Sequence, residues 1–372
     1  MSARITAVFG IGICGVALLL AACEDKKSAS SASAPDVPKA SEQSAVVDPG
    51  IAKAIAAASD SASSKAAAKD NADGPPATGF FTKERADATH SVDAPPFLEV
   101  ATLGSEPRVS LMAPNVEVPK TMLITVATLF PASSPGSPRL SLPTIDFTFG
   151  LSVEKPKAKQ PDGDLLQPAI GTMKVTSANP SAQQPGQTQL SAEQVKEIAK
   201  LKDSKLGWTL ESDVGFRVGS FERASAAQPN LEHDLLEVAE ALSTACIAVP
   251  SEPVGVGATW ISRSRSVFGG LDLVSYRVAK VVKVQNDAVS ISVESRQYFA
   301  GDEIQKAGLS VGSIVQFESR GEGEVLMRVG RRFPIGFSFV RAMNVVVHPD
   351  NGAENQLWFV SRSTTTFQGD GK

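Results

Sequence analysis

His233 and Glu237 stand four positions apart in a stretch patterned as a helix, so an imidazole and a carboxylate lie one turn apart and could reach the same metal ion. Asp234 and Glu240 fall near that edge. A zinc centre takes three or four converging ligands, and a His and a Glu on a wet stripe are equally the dress of an amphipathic helix, so no metal site is expected. His90 lies in or beside a polar N-terminal segment, and His348-Pro349-Asp350-Asn351-Gly352 is patterned as a turn. Serines are plentiful, but there is no Gly-x-Ser-x-Gly elbow and no cysteine with a histidine partner. Asp302-Glu303 follows Gly301 where a hairpin turn is expected, a solvated arrangement rather than an acid–base pair. Gly255-x-Gly257 follows a helix and enters a strand, the reverse of the order a dinucleotide loop needs, and no Walker loop is present. Arg320, Arg328, Arg331, Arg332 and Arg341 form a basic run, which reads as a solvated hairpin face opposite Glu318, Glu322 and Glu324. No catalytic constellation and no cofactor motif emerge, so the expectation is a protein that is not an enzyme.

The N-terminus is more specific. Arg4 precedes an apolar run from Ile5 to Leu20, then Leu20-Ala21-Ala22-Cys23 and the polar Glu24-Asp25-Lys26-Lys27. A basic stub, a short apolar core and small residues before a cleavage point define an export signal. The Leu-Ala-Ala-Cys box resembles that of bacterial lipoproteins. The resemblance implies that residues 1–22 are a signal peptide that is removed, and that Cys23 becomes the lipid-bearing N-terminus, the link to a membrane. The run is shorter than the roughly 17 to 25 residues of a spanning helix. Glu24 rather than Asp after Cys23 favours the outer over the inner membrane by the sorting pattern of that class.

Residues 23–95 are rich in Ser, Ala, Asp, Lys and Pro and nearly free of aromatics before Phe80-Phe81. Such a composition cannot bury enough apolar surface to offset its ordering entropy, so a disordered tether is expected, reaching roughly 40 to 50 Å as a flexible coil. The formal charge of −4 over 372 residues gives no ground for nucleic-acid binding. Once Cys14 leaves with the signal and Cys23 is acylated, Cys246 remains alone, without an intramolecular disulfide.

The chemistry-poor remainder, 96–367, reads as a single β-rich domain with a short disordered tail at 368–372. Period-two or short apolar runs predict strands at 107–112, 120–129, 144–153, 170–177, 208–210, 215–221, 258–267, 273–285, 288–299, 313–320, 323–330, 335–347 and 356–367. In 288–299, Val289, Ile291, Val293 and Phe299 define the buried face; in 273–285, Val274, Tyr276, Val278, Val282 and Val284 do so. Ser191-Ala192-Glu193-Gln194 predicts a capped helix ending near Lys202. A second helix is expected from Asn230, its N-cap, to Cys246, with Leu231, Leu235, Val238, Leu242, Ala245 and Cys246 buried and His233, Glu237 and Glu240 wet. Strands following strands predict an α+β fold: a large curved antiparallel sheet or partly open β-barrel with about two helices packed on one side.

Pro250-Ser251-Glu252-Pro253-Val254-Gly255-Val256-Gly257-Ala258-Thr259-Trp260 resembles a Pro-x-x-Pro-Val-x-Val-Gly-x-x-Trp element of uncharacterised secreted-protein and lipoprotein families. The prolines should stop the preceding helix and Trp260 should start a strand and plug the core; ligand contact is its alternative role. Two functions follow as expectations. One is a membrane-anchored envelope lipoprotein with a structural or protein-interaction domain. The other is a carrier of lipid or another hydrophobic ligand, since a curved sheet with helices resembles lipid-carrier folds. A carrier needs an open apolar cavity; otherwise Phe147, Phe149, Trp208, Phe299, Phe317, Phe337 and Phe339 fill the space.

Overall fold

The computed structural model describes residues 79–92, 94–112, 118–130, 140–141, 143–154, 169–181, 190–211, 215–227, 232–268, 271–301, 303–306, 309–349 and 357–368. Cys23, the signal, the tether before Gly79, Asn230, Leu231, Asp302, Asp350–Gly352 and residues 369–372 lie outside these. Along the chain run β1 (Phe80–Phe81), α1 (Lys83–Thr89), β2 (Phe97–Thr102), β3 (Thr121–Phe130), β4 (Leu140–Ser141), β5 (Ile145–Val153), β6 (Ala169–Pro180), α2 (Ala192–Ala199), β7 (Lys205–Glu211), β8 (Gly215–Glu222) and α3 (Glu232–Ala245). The C-terminal part holds β9 (Thr259–Phe268), β10 (Leu271–Gln285), β11 (Ala288–Ala300), β12 (Glu303–Lys306), β13 (Leu309–Arg328), β14 (Gly336–Pro349) and β15 (Leu357–Gln368).

These strands join one open sheet in the order β2-β9-β10-β11-β13-β14-β15-β3-β5-β6-β7-β8. The fold is α+β, and every pairing along that path is antiparallel. From β9 to β15 it is a meander in which Asn286, at φ +54°, helps to turn the two-residue hairpin between β10 and β11. β15 returns to pair with β3 and so joins the two halves of the sheet. The sheet curls around α3, which touches β8 at one end of the path, β11 near the other, and β14, β15 and β3 between them. Almost every described residue of this helix is buried, so one continuous apolar core gathers side chains from α3 and both halves of the sheet. α2 packs on β6 and is capped as its sequence predicts: the Ser191 N–H donates to Gln194 Oε1 (2.8 Å), and the Gln194 N–H to Ser191 Oγ (3.2 Å).

Several expectations are corrected. Residues 80–92 are not tether. β1 adds to β11 in parallel at Phe80↔Phe299, and α1 lies on the outer face of the sheet. There Phe81 and Ala86 cover Val274, Tyr276, Tyr298 and Ala300. The inward face of β10 is therefore the odd set Leu273, Ser275, Arg277, Ala279 and Val281; Val274 is buried on the other side, and Val282 is half exposed. Two strands expected at 313–320 and 323–330 are one, β13. Gly321 and Gly323 do not break it; a Cβ on Gly321 would stand 2.3 Å from the Phe339 ring, so their bareness lets that ring lie across the strand. Residues 107–112 form no strand, only an isolated bridge, Val109↔Val254.

Candidate functional site: a buried polar layer beside the seam of the sheet

The period-two pattern that fills the sheet's concave face with Val, Ile and Phe is interrupted midway along its strands. Two adjacent inward rows cross the sheet in register: Ser264, Ser275, Gln297 and Ser319, and Ser262, Arg277, Ser295, Gly321 and Arg341. α3 meets this polar band with a stripe of its own. Asp234, Glu237, Glu240 and Ser243 recur every three positions, so that on a 3.6-residue helix each neighbours the next in a stripe that winds slowly around the helix. The wet face expected for Glu237 and Glu240 is thus a buried one: they are 2% and 6% exposed.

Buried charge is tolerated when paired and hydrogen-bonded, and most of this layer is. Arg341 donates through Nη2 to Glu237 Oε1. Gln297 links the rest: its Nε2 donates to Glu240 Oε1 (2.7 Å), and its Oε1 accepts from Ser319 Oγ (2.7 Å) and Arg341 Nη1 (3.4 Å). Burial alone would lower the Arg341 pKa, but Glu237 and Glu240 outweigh it and raise it. Arg277 donates to Ser264 Oγ (3.0 Å) and Ser243 Oγ (3.4 Å), with Glu240 Oε1 at 3.8 Å. Its pKa is lowered, because burial exceeds what the more distant Glu240 returns. At the start of the stripe, burial first and the Glu237 charge second push Asp234 up to about 7.

The basic run does not form one patch. Arg341 is in the buried layer, Arg332 is buried elsewhere, Arg328 pairs with Asp287 (3.0 Å) and Arg320 with Glu318 (2.8 Å). His233 lies on α3 and His90 on the outer face, where its ring meets Phe81 and Tyr276, so these two histidines do not converge. Among the described residues no cluster of three or more His, Cys, Asp or Glu could hold a metal ion, and no helix is long and apolar enough to cross a membrane.

Trp260, the second residue of β9, is 0% exposed, and its Nε1–H donates to the Ala248 carbonyl (2.9 Å). Two residues earlier, the Cys246 carbonyl accepts from the Phe216 N–H of β8 (3.0 Å). The segment after α3 therefore spans the seam where the two ends of the sheet, β8 and β9 with β2, face one another. Gly215 permits this approach: at φ +79°, a Cβ there would lie 2.4 Å from the Cys246 carbonyl oxygen. Cys246 itself is buried, and burial raises its thiol pKa far from the reactive range. The seven aromatics expected to line or fill the concavity are all buried; Trp208 stacks on Phe216 at 5.8 Å, and the Phe147 and Phe149 rings meet tilted at 6.0 Å. The two best-formed cavities among the described residues measure about 40 and 10 Å³.

Sequence reasoning found the helix, Trp260 and the aromatic set, but missed the polar layer. Its signal is present as Ser and Arg at inward positions of consecutive strands, legible only once the register is known. The chain matches no protein-family model and no curated protein.

Proposed function

We propose that this protein is a cell-envelope lipoprotein, held to a membrane, the outer one by its Glu24, through lipid on Cys23, and that its domain is a structural or protein-interaction module rather than an enzyme or a lipid carrier. The observation that carries this reading is the filled concavity. α3 and the aromatic side chains occupy the space a carrier would leave open, and cavities of about 40 and 10 Å³ fall far below the roughly 300 to 1,000 Å³ of ordinary ligand pockets. The polar layer supports it too. Buried ion pairs from one helix to two strands, with a hydrogen bond to a third, fix the pose of the helix, whereas a carrier's helix must shift to admit an acyl chain.

Native mass spectrometry of the detergent-extracted full chain tests both halves. The expected species carries only covalent acyl mass, and Cys23→Ser loses that mass and leaves the membrane fraction. A lipid released by organic extraction without covalent linkage would support the carrier instead, and a Cys23→Ser chain still membrane-bound would remove the anchor.

A further inference from the structure

The seam holds a feature that the polar layer does not require. A cavity of about 40 Å³ lies among Phe216 and Arg217 of β8, the last turn of α3, and Ser262, Ser264 and Ser266 of β9, with Arg277 of β10 in its wall. One water needs roughly 10 to 15 Å³ by the same measure, so the space suits about three waters or one small polyatomic ion. Its hydroxyls run from exposed Ser266 through half-buried Ser264 and Ser243 to buried Ser262. Polar groups thus lead from solvent to the guanidinium.

Arg277 lines this cavity with donor capacity to spare. Its Nη atoms reach two serine hydroxyls, its buried Nε–H has no protein acceptor among the described residues, and Glu240 stands beyond hydrogen-bond distance. Glu240 Oε1 is already engaged by Gln297. A planar guanidinium with a free edge, flanked by neutral hydroxyl donors, is a geometry that matches an oxyanion. Arg341, with two strands between, differs: its carboxylate partner is in direct contact.

We infer that the seam cavity binds one small tetrahedral oxyanion of the phosphate or sulfate class, held by Arg277 with the hydroxyls of Ser243, Ser262 and Ser264. Such an anion would tie β9, β10 and the end of α3 together where the sheet is not closed by backbone pairing. The same chemistry could come from a free ion or from a phosphate monoester head group whose chain leaves past Ser266.

The test uses the full chain in detergent at constant ionic strength, titrated in separate arms with inorganic phosphate and with a short-chain phosphatidic acid. The expected result is a saturable rise in unfolding temperature together with a downfield shift of one arginine Nε–H resonance that is absent from Arg277→Lys. That variant should bind at least roughly tenfold more weakly. Because it sits in the core and can fail to fold, the half-buried pair Ser243→Ala/Ser264→Ala serves beside it and should weaken binding several-fold with the fold intact. The arm that saturates at lower concentration gives the source of the anion. No saturable response in either arm up to about 100 mM, a Kd too weak to matter, or unchanged affinity in the double serine variant, would overturn the site and leave the cavity to water.

Discussion

Asp234 is where a single side chain sets a pH response. An aspartate has an ordinary value near 3.9 when the chain is unfolded, and in the fold burial and Glu237 lift it to about 7. The folded state therefore holds a proton that the unfolded state has released between those values. What that proton contributes to stability is fully present below about pH 4 and is lost as pH rises to about 7, at up to about 1.4 kcal/mol per pH unit. Asp234→Asn should leave stability at pH 4 nearly unchanged and raise it at pH 8, as read by urea denaturation; an equal effect at both pH values would contradict the buried, neutral aspartate. Trp260 gives the opposite kind of residue effect. Its ring is fully buried and its indole N–H is spent on the Ala248 carbonyl. Trp260→Ala should cost about 3 to 5 kcal/mol; a loss within about half a kcal/mol, the range of surface positions, would detach it from the core.

At the scale of elements, β1 and α1 form a strap on the outside of the sheet, pinned by Arg265. That guanidinium grips Asp272 (2.8 and 2.6 Å) and reaches Asp87 (2.7 Å) and the His90 carbonyl (3.0 Å) of the strap, with its pKa raised chiefly by Asp272. A chain starting at Gly79 should melt with the full-length protein. One starting at Phe97 should melt lower by on the order of 5 to 10 °C, since it bares the Phe81 site and leaves Arg265 with one carboxylate; equal melting of the two would mean that the strap is ornamental. The sequence hides the strap because its apolar content is two adjacent phenylalanines and two alanines, too little to look like core without the tyrosines it covers. The same cover explains why the even positions of 273–281 look like the core face: Val274 and Tyr276 are apolar for the strap, and the inward Ser275 and Arg277 look like surface, whereas Val284, beyond a bulge, packs on the core as its pattern predicts. Strand 288–299 was legible because only one of its faces is apolar along most of its length. Glu237 and Glu240 mislead in the same way, since their partners lie on β10, β11 and β14, and no local pattern announces a pairing across that distance. What local pattern can announce, it did: the Ser191 capping box, the Asn286 turn and the run of hairpins.

For the whole molecule, sheet order departs from chain order along its path where β2 pairs with β9 and where β15 pairs with β3, and the second of these joins the two halves. Strands β3 to β8 form one half of the sheet, β9 to β14 build the other, and the halves meet through β15, whose twelve residues are the last of the described chain. Phe367 near its end packs against both Phe333 and Phe337. Until β15 has paired, the earlier half is therefore one neighbour short, with the β3 edge bare. Non-local pairing of this kind folds slowly, because the loop-closure entropy is lost before the contacts are gained. A sheet whose halves are joined by one strand has a single point of failure: without β15, the β14 and β3 edges are both left as bare templates for pairing with another chain.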